Sequence, residues 1–166
     1  MALVTSQSTL PDFEHEYHTV IVDSFGQPTS DSIFTVFLTN PLENIVQAQL
    51  LTANLRVGSG TRIVHLSIDE LNTNFSQRAT KEVNGQAALQ VLNRNFGSII
   101  NSSGTSGTTL YFKNEYPVMQ QYINPIRKLD RLTITLREGD ATGFTTSEDS
   151  FLVFRFVCKK RNLAVQ

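Results

Sequence analysis

Histidines and carboxylates cluster near the start of the chain, in His15-Glu16-Tyr17-His18 with Glu14 beside them. Imidazole and carboxylate groups are common zinc ligands, so this cluster is a candidate metal site. In an extended chain, however, side chains three residues apart point to opposite faces, and only a helix would bring His15 and His18 together. The residues that follow are mostly β-branched, which favours an extended chain. We therefore predict no metal site here.

A second polar row lies later in the chain, where His65, Ser67 and Asp69 alternate with apolar residues. In a strand this alternation places the three side chains on one face, and an imidazole near a hydroxyl is a candidate pair of base and nucleophile. The same alternation is typical of a solvated strand face, and that is our interpretation. With three histidines and one cysteine, the chain offers few groups for covalent catalysis.

Three other patterns approach known motifs without completing them. The glycine-rich residues 104–109 lack the lysine of a phosphate-binding loop, and residues 58–60 lack the Gly-x-Ser-x-Gly spacing of a nucleophile elbow. Asp130, Glu138 and Asp140 offer the carboxylates of a glycosidase, but tryptophan is absent and no aromatic platform is evident. We predict that the chain is not an enzyme and has no catalytic residues, no cofactor-binding residues and no cofactor.

The charge of the chain limits its partners. Charged residues make up 17% of the 166 residues, against about 25% in typical soluble proteins. The formal net charge is −1, and the basic residues are scattered apart from Lys159-Lys160-Arg161. The chain lacks the positive electrostatic potential that binds a phosphate backbone, so we predict no specific nucleic-acid partner.

Cysteine use and hydropathy indicate where the protein is made. Cys158 is the only cysteine, and its position at the end of an apolar segment predicts a small buried hydrophobic residue. The chain does not open with a charged segment followed by an apolar one, and no apolar run approaches about 18 residues. We expect synthesis in the cytoplasm and no membrane-spanning segment.

Short segments with a two-residue period dominate the chain and predict β-strands. The clearest is residues 124–136, in which Leu132 and Ile134 fall on one face and Thr133 on the other. The other predicted strands are residues 17–23, 32–38, 47–57, 62–69, 108–113 and 150–158.

Turn residues predict how two of these strands end. Asn40-Pro41 is expected to end the strand at residues 32–38, because proline offers no donor to a ladder. Gly58-Ser59-Gly60 is expected to join residues 47–57 and 62–69 as a hairpin.

Seven or eight short strands, and no convincing long helix, predict an all-β fold. With eight strands in two facing sheets, this is an antiparallel jelly-roll sandwich. We predict a single domain over residues 17–158, a flexible N-terminal arm of residues 1–16 and a short basic tail of residues 159–166. Residues 87–92 fit either a short helix or a strand.

Three stretches of the sequence resemble the small single-jelly-roll capsid proteins of large double-stranded DNA viruses of algae and protists. They are Ser67-Ile68-Asp69-Glu70-Leu71, the pattern Pro125-Ile126-Arg127-Lys128-Leu129-Asp130-Arg131-Leu132-Thr133-Ile134, and the closing Ser150-Phe151-Leu152-Val153-Phe154-Arg155-Phe156. The resemblance spans residues 17–157, and its motifs are signatures of the fold.

The resemblance implies a structural virion protein located in the capsid. Capsomers built from chains with two jelly rolls are pseudo-hexagonal, whereas one jelly roll suits a closed five-membered ring. The expected role is therefore the penton, a homopentamer that closes the five-fold vertices of an icosahedral capsid. One alternative is a minor capsid protein that cements the major capsid lattice. Another is a jelly-roll module that binds glycans or a receptor.

A subunit of this kind is expected to contact further copies of itself and the neighbouring major and minor capsid proteins. The last predicted strand is apolar on both faces except at Arg155, so it must be covered twice. We predict a subunit interface that includes Phe151, Val153, Arg155 and Arg137. The arm is expected to serve assembly and not folding.

Overall fold

The computed structural model describes residues 14–26, 32–58, 60–71, 77–83, 86–91, 95–101, 109–138 and 150–160. These residues form nine antiparallel strands and one 3-10 turn, Asp69–Leu71. The strands are β1 (His15–Asp23), β2 (Ile33–Arg56), β3 (Ile63–Ile68), β4 (Gln77–Val83), β5 (Gln86–Val91), β6 (Asn95–Ile100), β7 (Thr109–Phe112), β8 (Val118–Glu138) and β9 (Phe151–Lys159). The predicted all-β class is confirmed. Most of the predicted arm and tail and the glycine-rich residues 104–108 lie outside the described residues.

Seven strands form one sheet in the order β1-β9-β2-β8-β3-β6, with β7 also paired to β2, while β4 and β5 form a separate hairpin. The large sheet depends on two long strands, because β2 and β8 pair with each other along most of their length and then with different neighbours at their two ends. The structure thus describes nine strands where the sequence predicted eight.

Both long strands contain a proline at an irregularity of the ladder. Between the pairs Phe37–Arg131 and Leu42–Leu129, β2 carries four residues against one on β8, and Pro41 lies among them. The prediction that Asn40-Pro41 ends the strand is therefore wrong. The missing donor is tolerated because the chain bulges there and the ladder resumes beyond it.

The irregularities divide the sheet into two layers that share one core. The layer named here the β9 layer contains β1, β9, residues 45–56 of β2, β7 and the start of β8. The β3 layer contains residues 33–43 of β2, the rest of β8, β3 and β6. Phe96 of β6 meets Phe154 of β9 edge to face, with ring centroids 6.0 Å apart. The arrangement agrees with a sandwich, and the jelly-roll topology stays a prediction.

The predicted hairpin of residues 47–57 and 62–69 is wrong. The end of β2 pairs with β7 and β9, while β3 pairs with β6 and β8, so the turn near Gly60 carries the chain from one layer to the other. Alternation predicted both strands correctly. It could not predict their pairing, because two strands that each bury one face can either pair within one layer or face each other across the core.

The ends of the predicted domain also need correction. β1 begins at His15, which is placed opposite Lys159, so residues assigned to the arm and to the tail already belong to the sheet. Between β3 and β6 the uncertain residues 87–92 lie largely in β5, which is a strand and not a helix.

The core is made by the inward faces of both layers. Leu152, Phe154 and Phe156 of β9 are fully buried, as are Leu132 and Ile134 of β8. Cys158 is buried and free, as predicted. Within the part of the chain that the structure describes, no helix is long and apolar enough to cross a membrane.

Candidate interaction surface

The outward side of the β9 layer presents side chains in regular rows, because antiparallel partners point to the same face of a sheet. We call this side the β9 face. Three of its rows are Tyr17–Val157–Gln47–Gln121, Thr19–Arg155–Gln49–Met119 and Asp23–Phe151–Asn54–Tyr111, and a shorter row is Ile21–Val153–Thr52. The rows run from the outer strand β1 to β7 and the start of β8.

Large apolar side chains of the β9 face remain in contact with solvent. Ile21 is 62% exposed, Tyr17 58%, Tyr111 55% and Phe151 37%. The face differs sharply from the inward side of the same strands, where Leu152 and Phe154 have no exposure. The inward side of β9 is therefore fully buried, whereas its outward side ranges from Phe151, at 37% exposure, to the buried Val157, at 9%.

A polar network lies in the middle of this apolar face. The Arg155 guanidinium donates from Nη2 to Gln49 Oε1 at 2.6 Å, and Gln49 Nε2 donates to Asn114 Oδ1 at 3.0 Å. Asn114 has a positive φ of 50°, a conformation that asparagine tolerates better than most residues. Arg155 Nε is buried and has no hydrogen-bond partner among the described atoms. The network holds one positive charge at a fixed point of the face.

An open groove of about 580 Å³ begins beside Arg155. Tyr17, Tyr122 and Ile123 contribute its aromatic and apolar lining, and Ile123 is almost fully exposed. The Tyr122 hydroxyl donates to the backbone oxygen of Leu71 at 3.3 Å, and burial raises the pKa of this hydroxyl above the ordinary tyrosine range. Tyr122 is therefore a fixed wall of the groove and not an ionisable group at neutral pH.

Three of the four predicted interface residues lie together. Phe151, Val153 and Arg155 alternate along β9 and all point to the β9 face. Arg137 lies in the β3 layer, where it is placed opposite His65. The sequence period could group residues of one strand, but it carried no information about which layer held Arg137.

The three histidines lie at separate places in the fold. His15 lines the groove, while His18 Nε2 lies 3.5 Å from Glu16 Oε2. No group of three or more histidine, cysteine, aspartate or glutamate residues is arranged to hold a metal within the described residues. His65 Nδ1 lies 2.8 Å from Ser98 Oγ of the neighbouring strand β6.

The carboxylates considered for glycoside cleavage do not form a described site. Asp130 is exposed and pairs with Lys128, with Asp130 Oδ2 3.6 Å from Lys128 Nζ. Asp140 lies outside the described residues.

Sequence reasoning missed most of the β9 face. Gln49, Asn114 and Tyr122 were not singled out, because each is an ordinary polar or aromatic residue within its own segment. Their common feature is a position in the layer, which depends on strand order. The alternation of residues 47–57 could not have found Gln49, because it groups this residue with the buried Ala53, and the register shift between Leu50 and Thr52 turns it to the opposite face.

Comparison of the chain with models of protein families and with curated proteins found no match.

Proposed function

We propose that the chain is a structural virion protein, the penton subunit that forms pentamers at the five-fold vertices of an icosahedral capsid. The observation that supports this role best is the uncovered β9 face. Exposed Ile21, Tyr111 and Phe151 form rows with smaller apolar and polar neighbours on one side of the sheet. Such a surface is typical of proteins that bury it against a partner.

The order of strands gives a second line of support. Taken by layers, the pairings run β1-β9-β2-β7 on one side and β2-β8-β3-β6 on the other. This is the order that an eight-stranded jelly roll requires when β2 counts as two strands. The β4–β5 hairpin is then an insertion between two strands of the β3 layer. The sequence resemblance to single-jelly-roll capsid proteins leads to the same proposal independently.

Mass photometry and native mass spectrometry of the purified chain test the pentamer. A ring of five copies is expected, since a closed ring uses one pair of complementary patches per subunit. Cryo-electron microscopy of particles that contain the chain is expected to locate it at the five-fold axes. A monomer at every concentration, with density away from the five-fold axes, would instead assign the chain the role of a minor capsid protein.

A second candidate, binding of a glycan or receptor, is favoured by the groove beside Arg155. Tyr17 and Tyr122 supply aromatic surfaces, and Gln47, Gln121 and Arg155 supply polar groups around them. Concave sites that combine apolar walls with a few polar groups are common ligand sites. A glycan array separates this candidate from the first: binding that is lost in Tyr122→Ala would support it, and an array without signal would remove it.

A further inference from the structure

The free edges of the large sheet are protected to very different degrees. A strand edge that lacks a neighbour exposes backbone donors and acceptors, and natural proteins usually block such edges with side chains, bulges, prolines or shortness. Besides the four paired residues at the start of β8, four described strands or parts of strands have a neighbour on one side only: β6, β7, the first part of β2 and β1.

Three of these four edges are blocked. On β6, the Tyr116 hydroxyl donates to Ser98 O at 3.0 Å and accepts from Ile100 N at 2.7 Å, and Gln120 Nε2 donates to Phe96 O at 2.8 Å. These side chains occupy backbone groups that a further strand would need. The edge of β2 is interrupted at Pro41 and its bulge, and β7 has only four residues.

Within the described residues, the edge of β1 shows no bulge and no proline, and the strand is not short. Its nine residues pair with β9 without a single register shift, so the strand is regular along its length. It contains no proline, glycine or lysine. Within the described part of the chain, no strand pairs with its other edge. β1 is the edge best suited to accept another strand.

The sequence of β1 is complementary to itself when two copies run antiparallel. A register centred on Thr19 pairs all nine residues of one copy with the nine of the other. Thr19 then meets Thr19 of the second copy, Tyr17 meets Ile21, and His15 meets Asp23. Threonine pairs, aromatic residues opposite β-branched ones, and a carboxylate opposite an imidazole are favourable cross-strand neighbours. No two charges of the same sign face each other in this register.

We infer that β1 is a pairing site for β1 of a second copy of this chain, in the antiparallel register centred on Thr19. The contact has two-fold symmetry and extends the β9 layer across both copies. It goes beyond the proposed function, because a two-fold contact cannot close a ring of five. It joins two free copies or copies of two different rings, and it brings the exposed Tyr17 and Ile21 side chains of both copies together.

A cysteine at the symmetry axis tests the contact. In Thr19→Cys, the two new thiols belong to directly opposed residues, whose Cα atoms lie about 4.5–5.5 Å apart in an antiparallel pair, within disulfide range. The native Cys158 is buried and contributes little background. Mild oxidation of the full chain is expected to give several-fold more disulfide-linked dimer in Thr19→Cys than in Thr35→Cys. Thr35 is an exposed threonine on the interrupted edge of β2. The Thr35→Cys variant therefore measures how much disulfide-linked dimer forms through chance collisions.

The register is tested by mixing two variants. Tyr17 and Ile21 of opposite copies are direct neighbours in the inferred pairing, whereas Tyr17 of one copy is about 13 Å along the strand from Tyr17 of the other. A mixture of Tyr17→Cys and Ile21→Cys, one of them carrying a mass tag, is expected to form mixed disulfides several-fold faster than either variant alone forms its own. Thermal melts confirm that each variant is folded before oxidation.

Two results would overturn the inference: equal cross-linking of Thr19→Cys and Thr35→Cys, or no preference for the mixed Tyr17–Ile21 disulfide. Failure of the ring proposal is distinguishable, because it is measured as the absence of five-copy particles under reducing conditions. Five-copy particles without cross-linking at Thr19 would support the ring proposal and contradict the β1 contact. Cross-linking at Thr19 without five-copy particles would do the reverse.

Discussion

At the scale of single residues, the carboxylate of Glu70 accepts three hydrogen bonds from β8. It accepts from the backbone N of Thr133 at 2.7 Å, from Thr133 Oγ1 at 2.9 Å and from Arg131 Nε at 3.2 Å. The β3 ladder ends at the Ile68–Ile134 pair, so Glu70 satisfies a backbone donor just beyond it. The Glu70 side chain therefore supplies β8 with a hydrogen-bond acceptor where its pairing with β3 has ended.

We expect Glu70→Ala to lower the free energy of unfolding by about 1–3 kcal/mol, because it leaves a partly buried donor of β8 without its acceptor. Urea unfolding measures the change. Asp130→Ala is the control: it removes an exposed ion pair with Lys128, and such pairs contribute about 0–1 kcal/mol. Equal losses in the two variants would contradict the role given to Glu70.

Cys158 gives a second prediction at this scale. Burial, and to a smaller extent the nearby charge of Glu16, raises the pKa of its thiol. The folded state therefore favours the protonated thiol, and this contribution to stability is lost as the pH rises through the raised pKa. We expect alkylation of the native chain at neutral and mildly alkaline pH to be much slower than in urea. Equal rates would show that the thiol is accessible.

At the scale of elements, the contact between β6 and β8 leaves no room at Gly97. A Cβ at this position would overlap Cγ1 of Val118, a buried side chain with little freedom to move. We expect Gly97→Ala to cost about 1–3 kcal/mol of unfolding free energy through overpacking. In the double variant with Val118→Ala, the loss is expected to be smaller than the sum of the single losses. Additive losses would contradict direct contact.

At the scale of the whole molecule, we expect folding and the proposed assembly to depend on different sides of β9. Phe151 is on the β9 face and is 37% exposed, whereas its neighbours Leu152 and Phe154 are fully buried in the core. We expect Phe151→Ser to lower the unfolding free energy by about 1–2 kcal/mol, because part of the side chain is covered within the chain, and to weaken the five-copy assembly measurably. Phe37→Ser, which removes an exposed phenylalanine from the β3 layer, is the matched control and is expected to leave assembly unchanged. Loss of assembly in both variants would contradict a specific β9 face.

The sequence alone determined the strands and their buried sides. Alternation in residues 124–136 predicted that Leu132 and Ile134 are buried, and the apolar closing segment predicted a buried Cys158. These properties are local, because the side-chain period of a strand is fixed by backbone geometry. The all-β class could therefore be predicted without any knowledge of pairing.

Only the tertiary structure decided which strands are neighbours. It carried β2 through Pro41, separated β2 from β3 across the core, and assigned Arg137 to the layer opposite Phe151. It also brought Gln49, Asn114 and Arg155 into one network. Pairing is a choice among strands with equivalent apolar faces, and it is settled by packing between segments that are distant in sequence. No local pattern contains that information, which is why the β9 face and the open edge of β1 became visible only in the folded chain.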